Sequence, residues 1–237
     1  MKRILAIDSS TQACSVALSV DGQLLEHFEI VGQSHIQRLL PMMNALMAEA
    51  GVSARQLDGL VCGVGPGSFV GVRIAVGLVK GMAMSLDRPV YPVSSLAMLA
   101  RRALQSGEHR ILAAIDARMG EIYFQAFVRS RTGTLQAQSD PVLVTPERLP
   151  QPQGHHWFAC GSAWAAYSDA LTARLDAQVH GVDADALPHA QTALAVAHDG
   201  ARNWQDASAL TPLYVRDKVA LNLREQALLR AKKAAQP

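Results

Sequence analysis

Three cysteines, Cys14, Cys62 and Cys160, are too few and too scattered for a disulfide framework or a metal-binding spacing. They read as reduced thiols in apolar surroundings, as in a cytoplasmic protein. Eight histidines are present, but none recurs at the four-residue spacing that sets two imidazoles on one helical face, and His155 and His156 are merely adjacent. No metal or cofactor is expected on these grounds. A Gly-x-Ser-x-Gly elbow is missing, and Cys14 and Cys62 have no evident base partner. Charge of one sign is also scarce: a formal net charge of +2 creates no overall field for nucleic acid or membrane. No apolar run reaches spanning length, because Arg73 and Lys80 interrupt the best one. The opening Met1-Lys2-Arg3-Ile4-Leu5-Ala6-Ile7-Asp8 breaks at Asp8, too soon for a signal peptide. A cytoplasmic protein with no membrane partner is expected.

What is present is organised around residues 60–81. A β-branched run ends in Gly65-Pro66-Gly67, and a helical apolar repeat follows at Val72, Ala75, Val76, Val79, Met82, Ala83 and Leu86. The pattern reads strand, tight turn, helix, with Ser68 as N-cap. Glycine-rich turns that open helices also hold phosphates. Here Gly65-x-Gly67-x-x-x-Gly71 matches neither a Walker loop nor a dinucleotide fingerprint, so close packing is preferred over anion binding.

Residues 3–9, 13–20 and 23–30 read as three strands, with Asp21-Gly22 as a hairpin turn. A helix follows, announced by a Ser34–Gln37 capping box, interrupted by Pro41 and stopped at Gly51. Its apolar arc is too wide for one sheet contact: Ile36, Leu40, Met43 and Met47 make one stripe, and Leu39, Met42 and Leu46 another. A second buried side implies another helix or another chain, and clustered methionines suit an adaptable surface. His35, alone at the start of this helix, reads as a polar surface or interface residue.

The pattern then restarts. A strand at 89–93 and a helix at 95–103 close a first lobe, residues 1–106. Strands at 110–116 and 121–129, a loop-rich stretch at 130–154, a strand at 156–160 and helices at 162–174 and 189–202 make a second, residues 107–237, with a C-terminal segment able to pack back on the first. Two such lobes describe an α/β fold of two ribonuclease-H-like lobes, of the actin and sugar-kinase (ASKHA) type, with mixed sheets flanked by helices. In that architecture Asp8-Ser9-Ser10-Thr11 occupies the place of a phosphate clamp, or else a turn bonded to its own amides. The matching turn of the second lobe, Asp116-Ala117-Arg118-Met119-Gly120, puts a carboxylate where a phosphate needs donors. Asp8, Arg118 and Arg216 are the candidate RNA or nucleotide contacts. Six basic residues from Tyr214 onward, Arg216, Lys218, Arg224, Arg230, Lys232 and Lys233, make a locally basic tail.

Four stretches together, Ile7-Asp8-Ser9-Ser10, Gly65-Pro66-Gly67-Ser68-Phe69-Val70-Gly71-Val72-Arg73, Asp116-Ala117-Arg118-Met119-Gly120-Glu121-Ile122-Tyr123 and Pro212-Leu213-Tyr214-Val215-Arg216, resemble the TsaB (YeaZ) family. The resemblance implies a non-catalytic, dimerising subunit. Such a subunit binds and activates TsaD, which transfers threonylcarbamoyl to the adenosine beside the anticodon, position 37, of tRNAs reading ANN codons. Implied partners are a TsaD-like subunit, a TsaE-like ATPase, a second copy in isolation, and tRNA indirectly. Where the catalytic relative carries two metal histidines, this chain has Ser95 and Leu99. The resemblance places the partner interface on the helices at 35–50 and 70–86, through His35, Leu39, Met42, Met43, Leu46, Val72, Arg73, Val76, Val79 and Lys80. The competing readings are an actin-like ATPase or kinase and a glycoprotease-like metallopeptidase.

Overall fold

The computed structural model describes residues 2–175, 178–200 and 203–215. Strands β1 (Arg3–Asp8), β2 (Ala13–Val20) and β3 (Gln23–Ile30) form an antiparallel meander. Asp21 and Gly22 both take positive φ, 50° and 91°, the backbone that a two-residue hairpin needs to match strand twist. Helix α1 (His35–Glu49) follows, and β4 (Gly59–Gly63), α2 (Phe69–Leu86) and β5 (Val90–Val93) add two strands parallel to β1. The strand order is β3-β2-β1-β4-β5.

Side chains alternate in size across this sheet. Leu5, Ile7, Val16, Leu18, Leu60 and Cys62 enter the core shared with α1 and α2, while Ala6, Ala17 and Val61 face the opposite side. The smaller face takes a single helix, α6 (Ala190–Asp199), through Ala190, Ala193 and Ala197. Small residues on both surfaces let that helix approach closely.

Helix α3 (Ser95–Gln105) leads into the second sheet: β6 (Arg110–Arg118), β7 (Glu121–Arg129), β8 (Leu135–Ala137), β9 (Val142–Val144), β10 (Trp157–Cys160) and β11 (Val179–Asp183). Its order is β11-β10-β6-β7-β8, with β9 also paired to β7. One face meets α3 through Leu96, Leu99, Ile111 and Phe127. The other meets α4 (Ala163–Ala166) and α5 (Ser168–Leu175) through Trp164, Leu171 and Leu175. The result is the α/β architecture of two mixed sheets flanked by helices. The helices cross the line at residues 106 and 107: α3 covers the second sheet, and α6 comes back to cover the first.

Several local expectations need correction. Ser34 makes no side-chain cap, since its φ of −89° and ψ of 27° turn the hydroxyl away from the free amides. The helix expected at 162–174 breaks at Tyr167, whose φ of −134° leaves helical geometry. There the Tyr167 hydroxyl donates to Asp116 Oδ1 at 3.0 Å. Strands β8 and β9 replace part of the stretch 130–154 that reads as loop-rich, and β11 forms where the sequence reading assigns no element. The tail at 216–237, including Arg216, lies outside the described residues.

Candidate functional site

The glycine turn between β4 and α2 is built for close approach. A Cβ on Gly67 would strike the Ser10 carbonyl, and one on Gly71 the Ser9 carbonyl. Ser68 N donates to Ser10 O at 2.7 Å, Ser9 Oγ donates to Gly71 O at 2.8 Å, and Ser68 Oγ accepts from Gly71 N at 3.2 Å. The start of α2 is thereby fastened to the β1–β2 turn, and amides that could hold an anion are bonded there instead.

Asp8, 1% exposed, lies beneath this junction. Its Oδ2 accepts from Ser10 N at 3.1 Å and Ser10 Oγ at 3.0 Å, while Oδ1 has no hydrogen-bond partner among the described residues. Burial pushes its carboxyl up to about 6, against smaller opposing effects from the Ser10 hydrogen bonds. Such a carboxylate cannot reach an RNA, so Asp8 drops out of the candidate contacts. In the second lobe Arg118 is exposed and pairs with Asp116 at 3.0 Å, and Asp116 also accepts from the Tyr167 hydroxyl. A cavity of about 760 Å³ separates the two turns, lined by Ser10, Thr11, Arg73, Asp116, Arg118 and Tyr214 among others. Ser95 and Leu99 are buried in the core around α3. Among the described residues, no three His, Cys, Asp or Glu side chains converge in a metal-holding group.

The ten residues expected to face a partner are placed differently. Leu39, Met42, Met43, Leu46, Val72, Val76 and Val79 are all buried in the core under α1 and α2. The physical reason is that α1 lies on β2 and β3 and also beside α2, so all of its wide apolar arc except Ile36 and Leu40 is taken up by the chain's own sheet and neighbouring helix. His35 is buried too, its Nε2 2.6 Å from the Thr11 carbonyl. Arg73 donates to Phe69 O at 2.7 Å and to the Tyr214 hydroxyl at 2.6 Å, with its guanidinium 3.3 Å from the centre of the Phe69 ring. Lys80 donates to Ser208 O at 2.8 Å and Leu210 O at 3.2 Å. Both cations of α2 therefore hold the chain's own segment 207–215, which runs antiparallel along one edge of the helix and adds Leu213 N to Val64 O at 2.8 Å.

What α2 leaves open is its outward side. Val70 is 59% exposed and Met84 62%, Gly77 and Gly81 are exposed, and Ile74 and Leu78 are partly covered. A Cβ on Gly77 or Gly81 would meet nothing within 4 Å. These positions fall within one arc of the helix at 100° per residue, and none is charged. On α1, Ile36 is 64% exposed and Leu40 is also exposed. Sequence periodicity singles out these two helices but reads their core sides. The pairing of Gly77 with Gly81 was the signal for the other side, since glycines that face solvent in a helix do no packing within the monomer.

Comparison with known proteins bears on this arrangement. The model of the family described as "TsaD: tRNA N6-adenosine threonylcarbamoyltransferase" matches residues 27–231. The tRNA threonylcarbamoyladenosine biosynthesis protein TsaB of Escherichia coli is 41% identical over 172 residues, 70% of this chain and 74% of that protein. The Haemophilus influenzae protein of the same name is 36% identical over 227 residues, 91% of this chain and 94% of its own length. Among solved structures, YeaZ from Pseudomonas aeruginosa superposes with a TM-score of 0.84 at 41% identity, covering 90% of this chain and 100% of its own.

Proposed function

The chain belongs to the TsaB (YeaZ) family, and from that premise we propose that it is a non-catalytic subunit that binds and activates a TsaD-type threonylcarbamoyltransferase. Family membership ties it to the biosynthesis of threonylcarbamoyladenosine in tRNA. The transfer itself, to the adenosine at position 37 of tRNAs reading ANN codons, belongs to the partner.

The observation that carries this reading is the uncovered side of α2. An 18-residue helix of mean hydropathy 1.6 keeps two cations on one edge and turns an uncharged, glycine-containing arc outward. Left in water, that surface is unfavourable; covered by a helix of similar character, it contributes roughly 25 cal/mol for each Å² buried. Gly77 and Gly81 let a second backbone come close enough for side chains to interlock. Val70, Ile74, Leu78 and Met84, with Ile36 and Leu40 from α1, form the contact surface. In isolation the same surface pairs two copies, and a TsaE-like ATPase joins the assembled pair. Activation follows from placement: docking fixes the catalytic subunit's own helices on a rigid sheet-backed platform.

The test is co-purification of the TsaD-type subunit from the same genome with the wild-type chain and with Val70→Asp. Retention of the pair by Val70→Asp and Ile36→Asp together would remove this surface from the interface.

The ATPase reading has the cavity between the lobes in its favour. Against it, Asp8 is sealed under the β1–β2 turn and Asp116 brings a second carboxylate to the opposite wall. Magnesium-dependent ATP binding by calorimetry, lost in Asp8→Ala, would move the assignment there.

A further inference from the structure

The end of the second sheet farthest from the cavity gathers cations and rings that the α2 surface does not use. Arg110 begins β6, and its guanidinium lies 4.8 Å from the Trp157 ring while donating to Gln153 O at 3.1 Å and His155 O at 3.2 Å. That fixes the loop before β10, where His156 takes a φ of 61° and is exposed. In β11, His180 is the extra residue of a bulge, since Trp157 pairs with Val179 and Phe158 already with Gly181. Bulges re-aim side chains. Here the His180 ring is turned to 5.5 Å from His156, 6.0 Å from Phe158, and within 3.1 Å of the Glu108 carboxylate. Next to Glu108, His109 accepts through its carbonyl from Arg129 N at 2.8 Å, which brings the β7–β8 turn and Arg131 into the same patch. Arg129 and Arg131 are exposed, and among the described residues no carboxylate pairs with either.

We infer that this pole is a direct contact surface for the tRNA. It rests on the reading that the chain serves threonylcarbamoyladenosine formation, and adds that this subunit touches the substrate RNA itself. Two chemistries point to RNA over an acidic peptide. Unpaired guanidiniums suit phosphate oxygens through their planar fork of donors. The connected rings of His156, His180 and Phe158 offer faces on which unstacked bases can lie, which a carboxylate-rich peptide has no use for. Trp157, beneath Arg110, is buried and keeps the platform rigid.

The experiment measures binding of fluorescently labelled bulk bacterial tRNA to the full chain across a salt series, with co-purification of the TsaD-type subunit as a separate readout. Arg129→Glu with Arg131→Glu should weaken binding about tenfold or more and reduce the log–log salt slope by roughly 0.7 to 0.9 for each phosphate no longer neutralised. His156→Ala with His180→Ala should weaken it about tenfold with the slope unchanged, as loss of stacking requires. Both pairs are exposed, so melting temperature and association with the TsaD-type subunit should stay at wild-type values. A wild-type chain without measurable tRNA binding at about 0.1 M salt overturns the inference. So does equal displacement of the tRNA by polyglutamate, or binding lost in Lys232→Ala with Lys233→Ala but untouched by the four pole substitutions. None of those results would disturb the α2 surface as the site of subunit pairing.

Discussion

Tyr214 and Arg73, separated by 141 residues in the chain, meet at 2.6 Å, with Arg73 Nη2 donating to the phenolic oxygen. The guanidinium also contacts the Phe69 and Tyr214 rings, 3.3 Å and 5.0 Å from their centres. The last described stretch of the protein is thereby fastened to the first turn of α2, and Lys80 repeats the tie two turns on. One side of the helix is closed by the chain itself, which leaves the apolar arc as its open side among the described residues.

Removing that fastening should reduce stability in a coupled way. Tyr214→Phe should lower unfolding free energy by about 0.5 to 1 kcal/mol, and Arg73→Ala by somewhat more because the Phe69 carbonyl also loses a donor. In urea titrations the double variant should be little worse than Arg73→Ala alone, since a single hydrogen bond can be removed only once. Additive effects would mean that the two side chains do not interact in solution.

Position on α1 and α2 should separate folding from pairing. Met43→Asp places a charge in the core and should unfold the monomer, whereas Val70→Asp should leave its stability within about 0.5 kcal/mol of wild type. Circular dichroism melts with analytical ultracentrifugation distinguish the two effects. A folded Met43→Asp chain that merely fails to pair would return the interface to the residues that the family resemblance implies.

Gly77→Ala tests the open arc in both directions. With nothing near the added methyl, the substitution should stabilise the monomer by about 0.5 to 1 kcal/mol through helix propensity. The same methyl should hold a docked helix away and weaken association. Stabilisation with unchanged association would show that no backbone comes close at this point.

Asp8 gives a pH signature. Burial raises its carboxyl from 3.8 to about 6, so the folded state binds a proton more tightly than the unfolded state. The group is neutral and without penalty below its unfolded value, and the penalty grows as pH rises toward 6, reaching about 3 kcal/mol above it. Asp8→Asn removes that dependence. Urea unfolding from about pH 4 to pH 8 should therefore show the variant gaining on wild type as pH rises and levelling off above about pH 7. Parallel curves would mean that Oδ1 has a partner in solution.

Much of the fold is legible in the sequence, because long periodic segments and turn residues act locally. Asp21-Gly22, the glycines from Gly65 to Gly71 and the alternation Leu5-Ala6-Ile7 each dictate their own geometry. The short strands β8, β9 and β11 are not legible, since their pairing is decided by β7 and β10 and not by their own composition. The open surface is misread for a related reason. Periodicity reports that a helix has an apolar side, and the strongest side is the one the sheet claims; what stays exposed is the weaker arc of Val70, Ile74, Gly77 and Met84. Arg73 and Lys80 look like surface charges until the segment carrying Leu210 and Tyr214 is placed beside them.

The measurement that bears most directly on this account is threonylcarbamoyl transfer to tRNA by the purified TsaD-type subunit, assayed alone, with the wild-type chain, and with Val70→Asp. Transfer should be weak alone, rise strongly with the wild-type chain, and fall back with Val70→Asp although that variant is folded. Full transfer without this chain, or full activation by the variant, would contradict it.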